Sequence, residues 1–88
     1  MKISELLNSP EKWTQNVFAR DNTGKEVCYN SKEAVCWCLL GAVRLLPIDE
    51  QKIAMTKIID KVNSVLQWND NPNRTHQDVR QLLDELGL

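Results

Sequence analysis

The sequence predicts an α+β domain, predominantly helical, in which one small β-hairpin packs on the helices. Three observations carry that expectation. Apolar residues recur at helical spacing in several separate stretches. The segment from residue 17 to residue 29 switches to short β-prone runs around a turn. The chain has 88 residues, enough to bury one core, so residues 1–88 are expected to form a single domain.

Each element has its own signal. Ile3, Leu6 and Leu7 lie at helical spacing and predict an opening helix over residues 2–8. Ser9-Pro10 reads as an N-cap followed by proline at the first helical position, starting a turn through Trp13. Val17-Phe18-Ala19 and Glu26-Val27-Cys28-Tyr29 are β-prone, and Asp21-Asn22-Thr23-Gly24 between them is turn-forming. Two strands alone are marginal in water, so this hairpin must lean on helices.

Ser31 is placed to cap a central helix over residues 32–46, with Val35, Cys38, Leu39, Ala42, Val43 and Leu46 along one face. Pro47 ends it. Asp49 then caps a third helix, about residues 50–67, which turns Ile53, Ile58, Ile59, Val62, Val65 and Leu66 inward. The run "WNDNPNR" breaks the pattern, because asparagine favours side-chain-to-backbone turns. Thr75 and Asp78 have capping-box spacing, Val79, Leu82, Leu83 and Leu86 mark the last helix, and Gly87 closes it. Trp13, Trp37 and Trp68 read as core anchors.

Composition narrows the function classes. The 11 basic and 12 acidic residues leave a net charge of -1, with no basic run, which argues against nucleic acid as a partner. No stretch resembles a signal peptide or approaches the ~18 apolar residues of a membrane span, so a membrane role is not expected. Three cysteines, an odd number without framework spacing, read as reduced thiols in a cytoplasm.

Several stretches together resemble a bacterial and phage family of domains of unknown function. They are Trp13-Thr14-Gln15, Ala19-Arg20-Asp21 and Gly24; Trp37-Cys38 with Gly41-Ala42; and Trp68-Asn69-Asp70, Pro72, Arg74-Thr75-His76, Val79 and Leu82-Leu83-Asp84. The likeness spans residues 13 to about 84 and implies one fold over that length, but no activity. Cys28 and Cys36 fall outside the pattern, which leaves Cys38 as the thiol of interest.

Two function classes compete for these residues. On a helix Cys36 and Cys38 would point about 200° apart, which argues against a shared metal ion, and with one histidine no four-ligand set presents itself. No metal and no cofactor are expected. A thiol nucleophile needs a histidine and an orienting Asn or Asp; Cys38, His76 and Asn69 or Asp70 supply those types. Against this, Cys38 is expected mid-helix on the apolar face, whereas reactive thiolates favour helix N-termini and open, electropositive places.

The favoured reading is therefore a small non-enzymatic cytoplasmic module that binds a protein partner or itself. Its surface would contain Arg20, Asp21, Asp70, Arg74 and His76. The alternative is a cysteine-dependent hydrolase or acyl transferase using Cys38 and His76. In either case Gly41 costs its helix ~1 kcal/mol relative to alanine, and is expected to allow close approach of another backbone or an indole.

Overall fold

The computed structural model describes residues 2–88, and among them the chain forms five α-helices and three short strands. In chain order these are α1 (Ile3–Leu6), a 3₁₀ turn (Pro10–Lys12), β1 (Ala19–Arg20), β2 (Glu26–Val27), β3 (Cys36–Trp37), α2 (Leu39–Arg44), α3 (Ile48–Val62), α4 (Val65–Asp70) and α5 (His76–Leu86). The predominantly helical α+β class is what the periodicity predicts. The strands form one antiparallel sheet in the order β2-β1-β3, with Ala19 opposite both Val27 and Trp37.

The hairpin of β1 and β2 turns at Asp21–Gly24, where Gly24 has φ +88°, a conformation that suits glycine. The third strand is a correction. Residues 32–46 do not form one helix: Ser31 makes a local turn by accepting from the Glu33 N–H, Cys36-Trp37 joins β1, and helix begins only at Leu39. The helical period continued through Val35 and Cys38 by coincidence. Long-range pairing decides the outcome, with the Val35 N–H on the Arg20 carbonyl and the Cys38 N–H on the Phe18 carbonyl. The Trp37 indole N–H adds a 2.8 Å bond to the Tyr29 carbonyl. Val35, expected inward, is exposed.

A second correction concerns the expected helix over residues 50–67. It starts at Ile48, after Pro47, and stops at Val62; α4 is a separate helix. Asn63 has φ 68° and ψ -75°, and the Ser64 N–H reaches the Val62 carbonyl, a γ-turn of the rare positive-φ kind. Ser64 then caps α4 by accepting from the Gln67 N–H. The phase of α3 also differs. Its buried residues are Ala54 and Ile58, while Ile48, Ile53 and Ile59 are 64%, 56% and 46% exposed, and Leu66 on α4 is exposed too.

The core gathers Ile3 and Leu7, then Leu39, Ala42, Val43 and Leu46, then Ala54, Ile58 and Val65, and finally Val79, Leu82 and Leu83. All three tryptophans pack against it, half-buried. The expected close approach at Gly41 is present, since a Cβ there would overlap the Phe18 carbonyl oxygen. The capping box of α5 also forms: Thr75 Oγ1 accepts from the Asp78 N–H, and the Asp78 carboxylate accepts from the Thr75 N–H. Gly87 closes that helix in the left-handed conformation. No helix among the described residues is long and apolar enough to cross a membrane.

Candidate functional site

The candidate site centres on one buried polar side chain, Asn69, which bonds to Asp70 among the residues expected at the surface. It lies on the inward face of α4, one turn after buried Val65. Its Oδ1 accepts from the Trp13 indole N–H at 2.7 Å and from the Leu39 N–H at 3.0 Å. Its Nδ2 donates to the Thr14 carbonyl at 3.2 Å and to Asp70 Oδ1 at 2.9 Å. One fully buried amide thus ties the first loop, the start of α2 and the end of α4 together, with all four of its hydrogen-bond positions filled.

The surrounding residues reinforce the same junction. Gln15 Nε2 donates to the carbonyls of Asn69 and Asn71, both at 2.8 Å, and so satisfies backbone groups left over at the end of α4. Asp70 Oδ1 accepts from the Asn16 N–H. Arg20 donates to Thr14 Oγ1 and to the carbonyls of Gln15 and Gly24, bracing the hairpin against the loop before it. Asp21 accepts from both N–H and hydroxyl of Thr23 and from the Lys25 N–H; the Thr23 hydroxyl bond leads in holding its carboxyl below the usual range. Gln15 belongs to the Trp13-Thr14-Gln15 stretch, but nothing in the sequence marked its partners, which lie 54 and 56 residues away.

Arg74 donates to the Trp68 carbonyl at 2.9 Å and lies 4.1 Å over the Trp68 ring centre. Its nearest carboxylate is Asp78, at 3.9 Å. His76 is buried, and its Nε2 donates to the Leu7 carbonyl at 2.7 Å, fastening α5 to the end of α1. It borders an open polar cleft of about 740 Å³ that also takes in Arg80, Asp84 and Glu85.

Cys38 is the N-cap of α2 rather than a mid-helix residue, because the preceding segment is strand. Its Sγ accepts from the Gly41 N–H at 3.2 Å. Burial pushes the thiol pKa up, the Asp70 charge adds to that shift, and the Gly41 N–H partly offsets it. Among the described residues no hydrogen bond joins Cys38 to His76; each has its own backbone partner. Asn69, the possible orienting residue, is bonded to neither side chain.

The helical argument for keeping Cys36 and Cys38 apart does not apply on an extended segment, where residues two apart share a face. Local bonds separate their roles instead, with Cys36 Sγ against the Arg20 carbonyl and Cys38 Sγ on Gly41. All three cysteines are free thiols, and Cys28 is the exposed one.

A family model covers residues 2–87, and its description is a family of unknown function, DUF6197. The chain belongs to this family. No curated protein and no solved structure matches it. In this DUF6197 member Trp13, Gln15, Asn69 and Asp70 form one hydrogen-bonded junction, and Arg20 joins it through Thr14 and Gln15.

Proposed function

We propose that this DUF6197 chain is a bacterial or phage protein-interaction module that works in the cytoplasm, with residues 1–88 acting as one unit. What supports the reading is an apolar line on α3 whose two ends, Ile48 and Ile59, are exposed while Met55 between them also packs against the core. Ile48, Met55 and Ile59 follow one another at i, i+7 and i+11, with Lys52 between them, so they share a helix face. Ile48 and Ile59 are 64% and 46% exposed there. Covering the exposed part of each with a partner is worth roughly 1–2 kcal/mol, and exposed apolar residues along one helix face are a common mark of protein-binding surfaces.

The reading sets the contact surface on α3 in preference to Arg20, Asp21, Asp70, Arg74 and His76, whose side chains make hydrogen bonds within the domain. Three unpaired thiols suit a reducing compartment. The thiol-enzyme alternative gains no support from a buried, protonated Cys38 bonded to backbone.

Quantitative co-purification from the native host tests the proposal. The double variant Ile48→Ser/Ile59→Ser should keep its melting temperature within a few degrees, since both side chains are solvent-facing. It should lose a partner that the wild-type chain retains. Ile53→Ser, exposed on another side of α3, is the control and should keep that partner. Retention by the double variant, or the absence of any partner for the wild type, would contradict the proposal.

A further inference from the structure

We propose that the groove between α2 and α3 receives an acidic amphipathic segment of a partner protein. Its apolar side chains would seat on Leu40, Ile48 and Met55, above the buried Val43, and its carboxylates would meet Arg44 and Lys52. This rests on the interaction reading above and adds the chemistry of the partner.

The groove has a volume of about 250 Å³. That is below the ~300–1,000 Å³ typical of small-molecule pockets and suits a few inserted side chains. Gln51, also on its wall, is already engaged, because its amide donates to the carbonyls of Arg44 and Leu46. The charged groups left on the rim are both cations. Arg44 and Lys52 are exposed, and neither takes part in an ion pair; among the described residues those pairs are Lys61–Glu85 and Arg74–Asp78.

An apolar floor between two unpaired cations is thus set into a chain whose net charge is -1. Such a local field selects a partner of opposite sign and repels a basic one. Two other apolar depressions differ in charge: one formed by Val17, Phe18 and Leu66 is bordered by the carboxylates Glu26 and Asp70, and one formed by Ile3, Leu46 and Ile53 is bordered by Lys2 and Glu50.

The test uses the full chain, isotope-labelled, and three synthetic amphipathic helical peptides that share one leucine stripe and carry Glu, Gln or Lys elsewhere. The Glu peptide should bind about tenfold more tightly than the Gln peptide, the scale of two exposed charge pairs, and the Lys peptide should bind weakest. Amide shifts should centre on residues 40–55. Arg44→Glu/Lys52→Glu should reverse the order of the peptides, with folding retained.

Equal affinity for the three peptides, no binding by any, or shifts centred elsewhere would overturn the inference. So would binding to vesicles containing phosphatidylserine in place of the peptides. A concentration-dependent dimer abolished by the charge reversal would overturn it too, by making the occupant a second copy. A cellular partner lost in Ile48→Ser/Ile59→Ser but indifferent to charge reversal overturns the acidic partner alone and leaves the interaction reading standing.

Discussion

Asn69→Leu should destabilise the domain by about 3–5 kcal/mol, although leucine is close to asparagine in size and more apolar. The substitution removes the acceptor shared by the Trp13 indole N–H and the Leu39 N–H, and the donor serving the Thr14 carbonyl. Two N–H groups would remain at a junction with no other partner, each costing ~1–3 kcal/mol when buried and unsatisfied. That is a large part of the ~5–15 kcal/mol typical of a whole domain. Urea denaturation should show a lower midpoint with an unchanged slope. Asn73→Ala, on the exposed loop beyond, should change stability by no more than ~0.5 kcal/mol. Equal effects at the two positions would mean that Asn69 does not organise the junction.

Gly41→Ala should cost about 3 kcal/mol or more, against the usual gain of up to ~1 kcal/mol for the same change inside a helix. The new Cβ would overlap the Phe18 carbonyl oxygen, a backbone atom that cannot rotate away as a side chain would. That carbonyl also accepts from the Cys38 N–H at 3.1 Å, so moving it loosens the join between the sheet and the start of α2. A thermal melt should show a midpoint lower by roughly 10–20 °C. An unchanged or raised midpoint would mean that the two backbones lie farther apart than described.

The parts of this fold that were legible in the sequence are those decided locally. Thr75 and Asp78 form the capping box of α5 within one turn, and Gly87 ends the same helix by its own backbone preference. Asp21 folds the hairpin turn with residues no more than four positions away. What the sequence concealed is decided at a distance. Cys36-Trp37 is a strand because Ala19 and Arg20 lie beside it, and no nearby residue overrides the helical period that runs through it.

In α3 there are more isoleucines than buried positions, so the apolar pattern could not fix which ones face out. Small Ala54 is at the core while Ile53 and Ile59 are not. The break at Asn63 was hidden by Val65 and Leu66, which continue the apolar pattern past it. The candidate site shows the same division. Its residue types were visible, but Trp13 and Asn69 are 56 positions apart, and only the fold makes them partners.

Separate backbone hydrogen bonds hold Cys38 and His76 apart, and alkylation of the native chain by iodoacetamide at pH 8, mapped by mass spectrometry, tests that most directly. Cys28 should react rapidly, because it is exposed. Cys36 and Cys38 are buried, and the Cys38 thiol is held protonated by burial, so both should react only as fast as the domain opens. All three thiols should react freely after unfolding in urea, and His76→Gln should not slow Cys38 in the native state. Rapid native alkylation of Cys38 that falls when His76 is replaced would contradict the account, because it would place a working thiol–imidazole pair where the structure has two separate backbone ties.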